Sequence, residues 1–179
     1  MPRRLHDDGA MHWRALELIG TLELAPHPQD GHYQRAYEST RQAEVNSILR
    51  PAVTSIQYLL TQGEASGWHR VDATEVWDWQ EGSAIELLIY GAQADAVSRV
   101  QLDTSARGGQ LMQVVPAGIG QSARSHGNCS LANCSVSPGF VWSGLELLDH
   151  ASTTASALRA AGAMAGMGGI GAQAGKAAS

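Results

Sequence analysis

Between residues 32 and 149 the chain reads as a succession of short β-prone runs, each closed off by turn residues. That punctuation limits the folds open to it more than any other feature. The runs fall at residues 32–38, 54–61, 67–71, 75–80, 84–90, 98–103, 110–115, 120–125, 129–135 and 145–149. Segments such as QGEASG, QEGS, SARGG, PAGIG, SHGN and SPG separate them. Many short strands at hairpin-like intervals argue for a closed antiparallel barrel or jelly roll over an open sheet. No helical pattern of any length recurs between the runs, which argues against a parallel α/β sheet. The predicted class is all-β.

A single helix is predicted ahead of the strands, over residues 12–23, HWRALELIGTLE. Helical spacing there puts Trp13, Leu16, Ile19 and Leu22 or Glu23 near one face, with Leu18 beside it. The PHPQDG segment stops it, because proline cannot continue a helix and Gly31 supplies the turn. Residues 1–10 are expected to form a charged, flexible lead-in, and residues 11–150 are expected to fold. From Ala151 to Ser179 the composition becomes Ala/Gly/Ser with few large side chains. Such a tail buries too little apolar surface to offset the entropy of ordering, so disorder is expected over 151–179.

A chain of 179 residues suits one domain with a true core. The formal net charge is −5 and the basic residues are scattered, so nothing resembles the footprint of a nucleic-acid binder. No segment approaches the roughly 20 apolar residues of a membrane-spanning helix. Two aspartates follow the N-terminal arginines where a secretory signal would turn apolar, and a cytoplasmic location is the expectation. Cys129 and Cys134 lie five apart on one predicted strand, hence on opposite faces, and read as buried thiols and not as a disulfide.

Residues 63–82 read GEASGWHRVDATEVWDWQEG, with Gly63, His69, Glu75 and Gly82 at a characteristic spacing. Three further segments accompany it in order: LIGTLELAPHPQDGHYQRAY, QVVPAGIGQSA and NCSVSPGFVW. Together these span residues 18–148, and on them the chain resembles the cupin superfamily, in the uncharacterised type-five branch (a domain of unknown function). The resemblance implies a small jelly-roll barrel, commonly a homodimer, with a ligand pocket into which His69 and Glu75 are aimed. The chain also departs from the pattern. Gln29 and Asp30 stand in the PHPxxG segment, and Gln34 follows Tyr33 where an arginine is usual. Arg35 comes one residue later, and a one-residue shift changes the face, so it is not taken as a replacement. Gly120 stands where a tryptophan is expected.

In metal-binding cupins a second histidine lies two residues after the first, and here that position is Val71. Gln121 occupies the place of the histidine from the second motif. A divalent transition metal would have to use His69, Glu75 and Gln121, with Asp72 a conceivable extra donor. Two good protein ligands rarely hold a catalytic ion against solvent, so no cofactor is the leading expectation. Without metal, His69 and Glu75 become general acid/base candidates, with Glu75 orienting His69. The bland alternative is a hydrogen-bonded pair that satisfies two buried polar groups.

Gln121, Trp77 and Tyr33 are assigned to ligand binding. Trp77 and Trp79 share a face with Glu75 and either stack on a ligand or fill the barrel. Arg70 and Trp68 belong to the outer face. The leading functional reading is a small-molecule-binding cupin, a metal-independent isomerase, epimerase or lyase acting on a sugar-like or carboxylated metabolite. One alternative is a non-catalytic ligand-binding or structural cupin, and another a metal-dependent cupin with a reduced ligand set. The sequence leaves open whether the protein is an enzyme.

Overall fold

The computed structural model of the chain describes residues 11–91 and 96–148, together with Ala155, Leu158, Arg159 and Ala163. Helix α1 (Trp13–Thr21) is followed by β1 (Ala25–Pro26), β2 (His32–Glu38), β3 (Gln42–Val45), β4 (Ile48–Pro51) and β5 (Thr54–Thr61). Then come β6 (His69–Val71), β7 (Thr74–Gly82), β8 (Ile85–Gly91) and β9 (Ala96–Leu102). The last strands are β10 (Met112–Val115), β11 (Gly120–Ser125), β12 (Cys129–Ser137) and β13 (Leu145–Leu147).

The strands form two facing sheets, ordered β1-β2-β5-β12-β7-β10 and β13-β6-β11-β8-β9, beside the separate hairpin β3-β4. All pairings within the sheets are antiparallel, and the non-sequential neighbours are those of a jelly roll. Alternation along the strands sorts the side chains. On β5, Tyr58 and Leu60 point between the sheets, where they meet Trp77, Leu87, Leu102 and Cys134. Leu59, between them in sequence, points outward to Cys129 and Leu131, beneath the helix. The two thiols of β12 are free and buried in different layers, as their odd separation requires.

Helix α1 lies over the outer face of the six-stranded sheet, but it is turned from the predicted orientation. Ala15 and Leu18 are buried, with Ile19 and Leu22 packed beside them. Trp13 and Leu16 face solvent at 67% and 56% exposure. The small Ala15 lets the helix backbone approach the sheet closely, which a stripe led by Trp13 would prevent. Arg14 also ties the helix to β7 through Glu81, with its Nε donating at 2.8 Å.

The β3-β4 hairpin is absent from the predicted strands. Its turn residues Asn46 and Ser47 both adopt left-handed φ angles, 51° and 62°, which a two-residue hairpin turn demands. Glycine is required at Gly82, where φ is +96° and a Cβ would collide with the Cys129 carbonyl. That contact lets β7 close against β12 at the end of the barrel.

The tail expected to be disordered lies outside the described residues except at four positions. There it is packed: Ala155, Leu158 and Ala163 are buried. Leu158 and Ala163 cover Trp68 and Leu88 on the outer face of the five-stranded sheet, and Trp68 Nε1 donates to the Ala163 carbonyl at 3.4 Å. One large aliphatic side chain therefore finds an apolar seat that the Ala/Gly composition does not suggest. Among the described residues, no helix is long and apolar enough to cross a membrane.

Candidate functional site

A cavity opens between the two sheets. About 60 Å3 of it is open to the centre of a water-sized sphere. By that measure one water occupies about 10–15 Å3, so the space suits a few waters or a small ligand. His69 enters from β6 in one sheet, and Glu75 and Trp77 enter from β7 in the other. Strand β2 contributes Tyr33 and Arg35, and β5 contributes Ile56 and Tyr58. Apolar side chains of Val71, Val136, Phe140 and Leu145 complete the wall.

His69 and Glu75 thus share one cavity, but each is held by a different partner. His69 Nδ1 lies 2.7 Å from the Gly67 carbonyl, a pure acceptor, which fixes the proton on Nδ1 and leaves Nε2 as the basic ring atom. Burial pushes the pKa of His69 down, opposed by that backbone bond, so the ring is neutral near pH 7. Glu75 accepts a short hydrogen bond from Gln121 Nε2, and Gln121 Oε1 accepts from Trp77 Nε1 at 2.9 Å. Burial lifts the Glu75 carboxyl to about 7, with the Gln121 bond pulling the other way. His69 is oriented by the Gly67 carbonyl and not, as expected, by Glu75, whose carboxyl is engaged by Gln121.

Gln121 itself sits on β11 directly across from His69 in the strand register and is 1% exposed. Both ends of its amide are committed to Glu75 and Trp77, and it does not line the cavity. It therefore works behind the ligand-facing groups. Trp77 is buried and meets Tyr58 edge to face, filling the barrel while one side lines the cavity. Trp79 turns its indole N–H to the Ser83 carbonyl and carries the Arg107 guanidinium over its ring. Tyr33 also lines the cavity.

The sequence reading missed several cavity residues. His27 stacks edge to face on both Tyr33 and Tyr58, and its pKa falls to about 4 through burial and the nearby His69. Gln29 is buried, and among the described residues its Nε2 has no hydrogen-bond partner. Arg35 points into the cavity. Tyr33 pairs with Tyr58 and Arg35 with Ile56, so the two share a face of β2. The alternation from Tyr33 to Arg35 was the available signal. Tyr58, whose hydroxyl donates to the Asp30 carbonyl at 2.8 Å, keeps its proton because burial raises its pKa well above 10.

Outer-face expectations hold for Arg70, which pairs with Glu146 on β13, and for Trp68. Trp68 lies under the C-terminal residues and also leans over Gly120, where its ring would stand 3.9 Å from an added Cβ. A tryptophan at position 120 would compete for that space.

The donor set does not suit a divalent transition metal. Val71 puts an alkyl group on the cavity wall where a second imidazole would be needed. Gln121 has its carbonyl oxygen engaged by Trp77, and Asp72 turns away to the buried Arg50 at 2.8 Å. Among the described residues, no three His, Cys, Asp or Glu side chains come together as a metal-holding group.

Comparison with known proteins fits this architecture. The family model described as "Cupin superfamily (DUF985)" matches residues 16–148. A hypothetical protein from Leishmania major has a similar structure, with a TM-score of 0.74 and 25% identity over 83% of this chain and 95% of that one. A protein from Shewanella oneidensis matches at a TM-score of 0.71 and 29% identity, covering 82% and 91%. An oxalate decarboxylase mutant from Bacillus subtilis shares the fold at 11% identity and a TM-score of 0.50, covering 76% of this chain and 34% of the other. No curated protein gives a significant match. Since the family match takes in both sheets and every strand that lines the cavity, the chain belongs to the cupin superfamily, in its DUF985 family.

Proposed function

We propose that the cavity is a metal-independent acid/base site acting on a small metabolite next to a carbonyl, as an isomerase, epimerase or lyase would. One observation carries this reading: a histidine with a free basic nitrogen and a carboxylic acid that titrates near neutrality face the same cavity. His69 Nε2 takes a proton from the carbon beside the carbonyl. Glu75, half of it protonated near pH 7, gives its proton to the carbonyl oxygen, and an enol forms. Where the deprotonated carbon bears a hydroxyl, His69 returns its proton to the former carbonyl carbon while that hydroxyl gives its proton to Glu75, which completes an isomerisation and regenerates both groups. Positioned proton transfer of this kind contributes about 10²- to 10⁴-fold in rate.

The test is a panel of small keto and hydroxy compounds, first for thermal stabilisation and then for turnover followed by NMR in heavy water. His69→Ala and Glu75→Gln are each expected to lower kcat by at least about 10²-fold while a stabilising ligand still binds. Deuterium entering a bound compound with the parent protein and not with His69→Ala supports the reading. Compounds that bind and never exchange a proton leave a binding protein, a rival favoured by the fully paired Trp77–Gln121–Glu75 chain.

The same reading includes a homodimer and a cytoplasmic setting. The dimer is supported by the exposed Tyr37 on β2 and the exposed Ile48 and Leu49 on β4, and light scattering on the purified protein tests it. The two free thiols support a reducing compartment.

A further inference from the structure

The cavity has a charge and donor pattern of its own, beyond the acid/base pair. Arg35 lines it with its side chain 39% exposed, which places the guanidinium at the mouth. Among the described residues only Nη1 is engaged, to Glu38 at 3.1 Å, and Glu38 is itself 59% exposed. Exposed ion pairs of this sort exchange partners at little cost. The remaining Nε and Nη2 hydrogens form the planar fork that matches a carboxylate. Deeper in, Gln29 is 7% exposed and its Nε2 has no partner among the described residues. A buried donor left open loses its hydration for nothing unless a ligand or ordered water accepts from it. Among the described lining residues Glu75 is the only carboxylate, and it is buried at the far wall. Ile56, Val71, Val136 and Leu145 provide apolar backing for a short carbon skeleton.

We infer that the cavity takes a small organic carboxylate, with its negative end on the Arg35 fork and an oxygen of its chain accepting from Gln29 Nε2. The inference rests on the acid/base reading for the chemistry after binding, and it adds the substrate class: a short 2-hydroxy or 2-keto acid. The carboxylate stays at the mouth while the adjacent carbon lies toward His69 and Glu75. A neutral polyol of the same length lacks the group that Arg35 holds. An amine would bring a positive charge to face the guanidinium.

Glycerate and glycerol form a matched probe pair, differing only in the carboxylate, and calorimetric or NMR titration of the full chain measures each. Glycerate is expected to saturate with a Kd in the millimolar range, and glycerol to bind at least tenfold more weakly, since a charge-assisted contact is worth about tenfold or more. Arg35→Gln is expected to weaken glycerate at least about tenfold, with Arg35→Lys between it and the parent, because lysine keeps the charge and loses the fork. Gln29→Leu is expected to weaken it by about tenfold. Unchanged melting of the ligand-free variants guards against a loss that merely reflects unfolding.

The inference is overturned if glycerate fails to saturate by about 50 mM, if it binds Arg35→Gln as well as the parent, or if glycerol binds equally. Affinity and turnover, measured separately on the parent protein, distinguish this result from the catalytic reading. Arg35-dependent glycerate binding without turnover of any carboxylate keeps the substrate class and removes the catalysis. Turnover of neutral compounds alone keeps the catalysis and removes the class.

Discussion

The carboxyl of Glu75 is held by Gln121, a residue of the opposite sheet, and not by the histidine that shares its cavity. The amide reads the carboxyl in one direction, with Nε2 as donor, because Trp77 Nε1 has already claimed Oε1. Gln121 can therefore donate to Glu75 whether or not the acid is ionised. The carboxyl keeps its place while its proton comes and goes.

The elevated pKa of Glu75 makes stability depend on pH. In the folded chain the group titrates at about 7, against an ordinary 4.5 when unfolded. Between those values the native state holds more protons than the unfolded one, so stability is full below the lower value and falls as pH rises to the upper. The loss from this group is about 3 kcal/mol at most, from 1.36 kcal/mol per unit of pKa difference. Urea denaturation across that window should show the decline in the parent and a flatter profile in Glu75→Gln. Identical slopes would place the titration elsewhere.

Removing Gln121 should raise the Glu75 pKa further, since its hydrogen bond is the contribution that lowers it. Gln121→Leu also leaves Trp77 Nε1 without its acceptor. The expected cost is about 2–4 kcal/mol, for two buried polar groups left unpaired. Carbon-13 NMR of the Glu75 carboxyl reads the shift directly. A downward movement would mean that the relay has been assigned in the wrong sense.

Metal dependence should be absent from the parent and installable by one substitution. Treatment with a chelator is expected to move the melting temperature by less than about 1 °C, because a ligand that stabilises the fold leaves a mass-action signature when removed. Val71→His places a second imidazole on the His69 side of β6, and zinc should then raise the melting temperature. Stoichiometric metal in the untouched protein would contradict the donor argument.

Leu158 tests the packing of the C-terminal residues. It is fully buried against Trp68 and Leu88, so Leu158→Ala is expected to cost about 2–4 kcal/mol. Leu111→Ala, at a position 52% exposed, should change stability by no more than about 0.5 kcal/mol. Equal effects on denaturant midpoints would mean that Leu158 does not pack as described.

Much of the barrel was legible because strand alternation is strict. The runs that became β2, β5 and β11 have the predicted bounds, and the opposite faces of Cys129 and Cys134 follow from counting. The β3-β4 hairpin was hidden because its one buried side chain is the charged Arg50, so no apolar alternation marks it. The helix face was misread because a small Ala15 outranked the large Trp13 and Leu16 at the contact. Within the cavity, His69, Glu75 and Tyr33 were locatable from the family resemblance, and Trp77 from its alternation with Glu75. The pairing of Glu75 with Gln121 was not, since it depends on which strands face each other across the barrel. Gln29 and His27 escaped because they sit where the chain turns into the cavity, and no periodicity governs a turn.

The odd spacing of the β12 thiols has a practical corollary. Cys129 is seated beneath the helix and Cys134 beside the cavity, each with a pKa raised by burial. A slow alkylating reagent would therefore report two separate openings on one strand: detachment of the helix at one sulfur, and breathing of the barrel at the other.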